Sequence, residues 1–228
     1  MDTQLVEKTL KKVREKSKKR NFSQSVELIV NLKDINIKKP EDQIDLFISL
    51  HYSTGRKPTI CAFIGPELAA EAKNYCDEVI SVDDFGKYAE NKKLAKALAK
   101  KYDFFIAQAT VMPKVAATFG RVLGPRGKMP NPKAGCVVPP NANLKNLAEK
   151  LGKTIKVSAK AEPSVKCAVG TEKMEDAQLV DNIITVYNNL IHHLPGEKNN
   201  IKSAFLKMTM GPAIEVTKDS DDKGDQNE

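Results

Sequence analysis

Several residue types and patterns are scarce or absent in this 228-residue chain, and each absence excludes something. There is no Trp and only 6% of residues are aromatic, which argues against serial base stacking as the main source of any nucleic-acid affinity. No apolar run reaches the length of a signal or membrane-spanning segment, and the chain starts with the polar Met1-Asp2-Thr3-Gln4. We therefore expect a cytoplasmic protein with no membrane partner.

The cysteine spacing excludes the usual zinc and redox motifs. Four cysteines stand 15, 60 and 31 residues apart and form no Cys-x-x-Cys pair. Structural zinc ribbons need such close pairs, so the spacing predicts reduced, buried thiols and no metal site. The four are Cys61, Cys76, Cys136 and Cys167.

The chain also lacks the motifs of a catalytic or nucleotide-binding site. No Gly-x-Gly-x-x-Gly occurs, and Gly127-Lys128 does not end a phosphate-binding P-loop, because Val122 replaces its first glycine and Met129 its Ser or Thr. The three histidines lie at the ends of predicted helices and strands, and no nucleophile or metal-binding residue stands near them at the spacing of a known catalytic motif. We predict that the chain is not an enzyme and needs no cofactor. An enzyme remains the second hypothesis, since parallel sheets host much chemistry.

Acidic residues are missing altogether between Phe119 and Gly135, a stretch that reads FGRVLGPRGKMPNPKAG. Its four glycines free the backbone, while its three prolines prevent a long helix or a central strand, so we predict a shaped loop. Four cations without a competing carboxylate suit the phosphates of a nucleic acid. These cations are Arg121, Arg126, Lys128 and Lys133. The alternative is a solvated linker.

The charge of the whole chain agrees with a nucleic-acid partner. Against 29 Asp and Glu stand 37 Lys and Arg, a net charge of +8. Residues 219–228 hold one Lys and five acids, a net charge of −4, so the preceding 218 residues carry +12. A basic body with a short acidic tail is typical of nucleic-acid binders, although a tail that is merely solvated is the alternative. Residues 3–20 predict a basic amphipathic helix, which either packs on a sheet or contacts RNA.

Two kinds of hydrophobic pattern, strict alternation and continuous apolar runs, divide the chain into regions. Strict alternation over residues 25–32, 43–50, 154–160, 164–170 and 202–210 predicts half-buried strands, and residues 175–194 predict a long helix. Between them, apolar runs over residues 59–64, 78–82 and 104–109 alternate with helical patterns, as in βαβ units. The predicted fold class is therefore α/β (α+β), with one domain made of residues 1–56 and 154–228 and a parallel α/β domain, residues 57–153, inserted in it.

Two motifs then resemble a known family. The segment LGPRGKMPNPK from Leu123 to Lys133 and the segment Thr209-Met210-Gly211-Pro212, supported by Phe22 through Glu27, resemble the L-one family of large-subunit ribosomal proteins. This family forms the mobile stalk beside the transfer-RNA exit site. The similarity runs over nearly the whole chain, and the short N-terminal arm, Lys207-Met208 and the acidic tail resemble the archaeal branch.

The resemblance implies both architecture and function. It implies a split-βαβ domain formed by both chain ends, with a Rossmann-like domain inserted, and a first domain that binds the stalk region of large-subunit rRNA. It further implies a structural constituent of the ribosome that assists release of deacylated tRNA from the exit site, represses translation of its own mRNA and is a monomer when free. A free repressor that acts only on mRNA is a third hypothesis.

The resemblance also assigns RNA contacts from both chain ends. Hydroxyl groups and a carboxylate at these positions suit ribose hydroxyls and base amino groups, and a glycine leaves room for RNA. The residues are Phe22, Ser25, Glu27, Ser203, Thr209, Met210, Gly211 and Pro212. On its own, Thr-Met-Gly-Pro is an ordinary strand end and turn. The basic loop is implied as a secondary contact with tRNA or rRNA, unless its cations only order the loop.

Overall fold

A computed structural model describes residues 2–36, 39, 43–140, 142–160 and 162–216. Two compact units are present: Met1–Arg56 together with Ile155–Glu228, and Lys57–Thr154. The predicted acidic tail, residues 219–228, lies outside the described residues.

The helices and strands of the described residues follow from the two hydrophobic patterns. In chain order they are α1 (Thr3–Lys16), β1 (Ser25–Leu32), β2 (Ile44–Ser49), β3 (Ile60–Ile64), α2 (Ala69–Tyr75), β4 (Glu78–Ser81), α3 (Phe85–Glu90), α4 (Lys92–Lys101), β5 (Phe104–Gln108), α5 (Met112–Leu123), β6 (Val137–Val138), α6 (Leu144–Gly152), β7 (Thr154–Ala159), β8 (Ser164–Thr171), α7 (Asp176–His193), β9 (Ile201–Met208) and β10 (Ile214–Glu215).

The first unit is built on an antiparallel sheet of strand order β10-β9-β1-β8. In β1 every second residue is buried, and its central Leu28 lies between Cys167 of β8 and Leu206 of β9. The apolar sides of α1 and α7 share one core with these strands, so one face of the sheet is covered by helices. Strands β2 and β7 form a second, two-stranded sheet. The residues that alternate with the core of β1 lie on the other face of the four-stranded sheet and are half-buried.

The second unit is built on a parallel sheet of strand order β4-β3-β5-β6. All five residues of β3 are buried, as expected for a central strand of a parallel sheet with helices packed on it. Phe63 of β3 packs against Phe119 of α5, with ring centroids 4.6 Å apart, and against Phe105 of β5 at 5.6 Å. The predicted mixed α/β class, with a separate antiparallel and parallel sheet, is confirmed.

Three expectations about individual elements were wrong in detail. The predicted strand 202–210 ends at Met208, because the Gly211 N–H turns back to donate to the Met208 carbonyl at 2.9 Å. The predicted helix 3–20 ends at Lys16, where Ser17 takes an extended conformation. The stretch that begins at Phe119 is helical as far as Leu123, since a single glycine inside a helix is tolerated. Helix α3 and strands β6 and β10 were not predicted, because segments of two to six residues carry too few periods to be recognised.

Candidate nucleic-acid interface

The two chain ends meet where β1 begins and β9 ends, and one hydroxyl group joins them. The Ser25 N–H donates to Thr209 Oγ1 at 3.0 Å, and Thr209 Oγ1 donates to the Ser25 carbonyl at 3.3 Å. The Thr209 N–H donates to the same carbonyl at 3.1 Å. The Thr209 hydroxyl was expected to exchange hydrogen bonds with RNA, but its proton and one lone pair are already used within the protein. It therefore acts as a clamp that positions the turn Thr209–Pro212, which we call the recognition turn.

Two apolar side chains beside this clamp are unusually exposed. Among the large apolar side chains of the described residues, Met210 (60% exposed) and Phe22 (50%) are the two most exposed. Pro212 is exposed as well. Phe22 lies three residues before Ser25 and Met210 directly follows Thr209, so the two chain ends joined by the clamp each carry one exposed apolar side chain, and together they make a candidate binding surface.

Glu27 and Ser203 lie on the open face of the sheet, at different distances from the recognition turn. The Glu27 carboxylate is 3.9 Å from the Lys207 ammonium opposite it, which leaves its oxygens available to other donors. Ser203 stands opposite Asn31, whose amide donates to the Ser203 hydroxyl at 3.1 Å. Asn31 lies four positions after Glu27 along the strand, so Glu27 and Ser203 are on the order of 13 Å apart. The predicted contacts thus form an elongated surface rather than a pocket.

Gly211 has an internal reason to be a glycine. A Cβ at this position would lie 2.3 Å from the Ser17 hydroxyl oxygen and 3.2 Å from the Met208 Cβ. That Gly211 leaves room for RNA stays a prediction; in the structure it leaves room for Ser17, the residue that follows α1. The recognition turn is therefore packed directly against the end of that helix.

Gln24 is a residue of this surface that the sequence analysis missed. Its side chain is buried, its amide nitrogen donates to the Lys18 carbonyl at 3.1 Å, and its amide oxygen accepts from the Met210 N–H at 3.2 Å. Its backbone carbonyl accepts from the Glu172 N–H at 2.9 Å. One buried glutamine therefore connects the segment after α1, the recognition turn and the end of β8. The only signal in the sequence was its place within the motif that starts at Phe22.

In the second unit, the four cations of the basic loop fall into two pairs. Lys128 Nζ donates to the Tyr102 carbonyl at 2.6 Å, and an Arg126 guanidinium nitrogen donates to the Lys96 carbonyl at 3.2 Å. These two cations order the loop. The other two, Arg121 and Lys133, are exposed, and their side chains have no bonded partner within the part of the chain that the structure describes.

Left-handed backbone shapes this loop at two glycines. Gly127 has φ 62° and Gly135 has φ 75°, values that a residue with a Cβ adopts only with strain. The two glycines thus allow the turns of a shaped loop, as the composition predicted.

Burial keeps the thiols of the chain in their neutral form. All four cysteines are free and buried, and burial raises the pKa of Cys76 and Cys136 to about 11 and that of Cys167 to about 12, so the thiols stay protonated at neutral pH. Within residues 2–36, 39, 43–140, 142–160 and 162–216, no three His, Cys, Asp or Glu side chains are grouped as metal ligands. The same residues include no helix that is long and apolar enough to cross a membrane.

Comparison with known proteins gives matches over most of the chain. The sequence profile of the "Ribosomal protein L1p/L10e family" matches residues 11–212, which include both the recognition turn and the basic loop. The chain is 44% identical over 211 residues to the large ribosomal subunit protein uL1 of Nanoarchaeum equitans, covering 91% of this chain and 97% of the relative. It is 43% identical over 216 residues to the protein of the same name from Pyrococcus horikoshii (94% and 96% covered) and 41% identical over 216 residues to that from Thermococcus kodakarensis (94% and 98% covered).

Proposed function

Because the chain belongs to the ribosomal protein L1p/L10e family, as its resemblance to the archaeal branch predicted, we propose that it is a structural protein of the large ribosomal subunit and not an enzyme. Its first unit binds large-subunit rRNA and forms the mobile stalk near the tRNA exit site. The observation that carries this proposal is the clamp between Ser25 and Thr209, which joins the two chain ends that carry Phe22 and Met210, the two most exposed large apolar side chains of the described residues.

The open face of the first unit offers the chemistry that RNA recognition uses. Phe22 and Met210 provide apolar surface for sugars and unstacked bases, and the Glu27 carboxylate accepts from ribose hydroxyls or base amino groups. Ser203 extends the same face along β9. The clamp between Ser25 and Thr209 holds the two strand ends in register, so that RNA meets a preformed surface and little ordering cost remains for binding.

The basic loop of the second unit supports the second part of the proposal. Arg121 and Lys133 are exposed cations without a bonded partner in the described residues, and such groups bind phosphates by releasing counterions. In the proposed function, they contact the exit-site tRNA and assist release of the deacylated tRNA as the stalk moves.

Translational repression follows if the surface that binds the stalk rRNA also binds a similar RNA fold in an mRNA. A fold in the chain's own mRNA that resembles the stalk rRNA would compete for the recognition turn, so that free monomeric protein represses its own translation only when ribosomal sites are filled. Copurification with large subunits separates this combined function from that of a free repressor, and nucleotide turnover by the pure protein would favour an enzyme.

The central test is deletion of residues 57–153, replaced by a short glycine linker. Specific binding to a stalk rRNA fragment should survive with a modest loss of affinity, because the assigned contacts all lie in the first unit. The deletion protein is first shown to unfold cooperatively. If it is folded and yet has lost all specific binding, the assignment of the rRNA site to the first unit is wrong.

A further inference from the structure

A basic cavity of about 370 Å³ lies beside the recognition turn and includes none of the assigned RNA contacts. Its volume compares with about 30 Å³ for one water in the liquid, so it admits a hydrated anion. Among its lining residues are four cations and a single carboxylate: Arg14, Lys18, Lys19, Arg20 and Glu172. The basic charge of the predicted helix thus continues beyond the end of α1 into the residues that line this cavity.

Three of these cations follow the helix rather than belong to it. Lys18, Lys19 and Arg20 come after the end of α1 at Lys16, are exposed, and form no ion pair with the described residues. A helix C-terminus favours cations within its last turn, which accounts for Lys16 but not for three more beyond it. Like charges held this close repel one another, and an anion between them would relieve that repulsion.

The fourth cation, Arg14, is held in place by hydrogen bonds and an ion pair. The Arg14 guanidinium donates to the carbonyls of Glu172 at 2.8 Å and Met174 at 3.0 Å and pairs with the Asp176 carboxylate at 2.9 Å. Its Nε and the Ser17 hydroxyl are nevertheless buried without a hydrogen-bond partner. Arg14 is therefore held in place by its partners, while Lys18, Lys19 and Arg20 are the lining cations that form no ion pair with the described residues.

The cavity and the recognition turn are connected by direct contacts. Gln24 lines the cavity and bridges the Lys18 carbonyl to the Met210 N–H, and Met208 lines it from the end of β9. Gly211 lies against Ser17, another lining residue. An RNA strand that leaves the recognition turn on this side therefore passes the three free cations.

We propose that this cavity is a phosphate-binding subsite that holds one backbone phosphate of the bound RNA. The inference rests on the proposed function, because the RNA must first be positioned by the recognition turn. Lys18 and Lys19 supply point charges, and the planar guanidinium of Arg20 suits two phosphate oxygens at once. Binding there fixes the direction in which the strand leaves the sheet.

The test uses the full chain and a pair of variants matched in charge. The double variant Lys18→Gln/Arg20→Gln removes two cavity cations, and the control Lys11→Gln/Lys12→Gln removes two exposed cations of α1 that do not line the cavity. Affinity for a stalk rRNA fragment is measured at several salt concentrations. The cavity variant should lower the slope of log affinity against log salt by about 0.7 to 0.9, the value for one phosphate, with about a tenfold loss at low salt, and the control by less than half of this.

Methylphosphonate substitution, one phosphate at a time along the fragment, identifies the group that occupies the cavity. One position should weaken binding by the wild-type protein and have no further effect on the cavity variant. If the cavity variant and the control behave alike, or if no position shows this coupling, the subsite does not exist. If the wild-type protein fails to distinguish the fragment from a scrambled RNA, the proposed function itself has failed.

The source of the phosphate is tested separately. Inorganic phosphate, compared with chloride at equal ionic strength, should compete with the fragment only weakly, because a free ion lacks the positioning by the recognition turn. Tight binding of inorganic phosphate by the wild-type protein, lost in the cavity variant while RNA affinity is unchanged, would show a free-anion site and overturn the proposal.

Discussion

Removing the Thr209 hydroxyl distinguishes two roles for this group, a structural clamp within the protein and a direct contact with RNA. Thr209→Val keeps the shape of the side chain but deletes the oxygen that accepts from the Ser25 N–H and donates to the Ser25 carbonyl. The carbonyl keeps a partner, because the Thr209 backbone N–H also donates to it at 3.1 Å. The Ser25 N–H is then left without one.

The expected cost follows from this single orphaned donor. A buried donor without a partner costs about 1 to 3 kcal/mol, and a net hydrogen bond contributes about 0.5 to 1.5 kcal/mol. Both residues are only half-buried, so water compensates in part and we expect a loss of about 1 kcal/mol in the free energy of unfolding of the first unit. With a denaturant slope of about 1 to 3 kcal/mol per molar urea, the midpoint should fall by roughly 0.3 to 1 M.

Three measurements test the reasoning together: urea unfolding, hydrogen exchange of the Ser25 amide, and affinity for a stalk rRNA fragment. Thr209→Val should lose stability, amide protection and affinity in parallel, whereas Thr209→Ser, which keeps the hydroxyl, should resemble the wild type in all three. A Thr209→Val protein with unchanged stability and amide protection but about tenfold weaker binding would refute the clamp, and would show that the hydroxyl contacts RNA directly.

Further outcomes concern the basic loop, salt and the thiols. Lys128→Met should destabilise the second unit by about 1 kcal/mol in thermal unfolding, because the Tyr102 carbonyl loses its donor, and the dependence of tRNA affinity on salt should not change. Arg121→Gln should leave the stability unchanged and make tRNA affinity less dependent on salt. If about six phosphates are neutralised, affinity for the rRNA fragment should fall on the order of a thousandfold between 50 and 200 mM salt; a flat response would contradict an electrostatic contribution. All four cysteines should react with a thiol reagent only on unfolding, and fast labelling of the native chain would contradict their burial. Since burial raises the folded-state pKa of Cys76, Cys136 and Cys167 above the unfolded value of about 9, their contribution to stability is complete below pH 9 and is lost as pH rises further, which urea unfolding at pH 8 and 10 would detect.

The local sequence pattern was sufficient to predict features that depend only on neighbouring residues of the chain. The alternation of apolar residues predicted β1 with the bounds that it has in the structure, because side chains of a strand alternate between two faces whatever strand lies beside it. The apolar runs of the middle region predicted a parallel sheet, because strands with helices on both faces are buried on both sides and do not alternate. The proline and glycine content of the basic loop predicted its irregular backbone beyond Leu123. The family motifs added the identity of the residues at the two chain ends.

Tertiary structure alone decided what the polar groups of the interface do. The bond between Ser25 and Thr209 joins residues 184 positions apart, and that between Gln24 and Met210 joins residues 186 positions apart. A hydroxyl or amide has the same appearance in the sequence whether its partner is the protein or RNA, since hydrogen bonding depends on a geometry that only the packed chain defines. For that reason the composition identified the four cations of the basic loop but not their roles. Only the folded backbone shows that Arg126 and Lys128 bind carbonyl groups and order the loop, while the other two cations stay exposed.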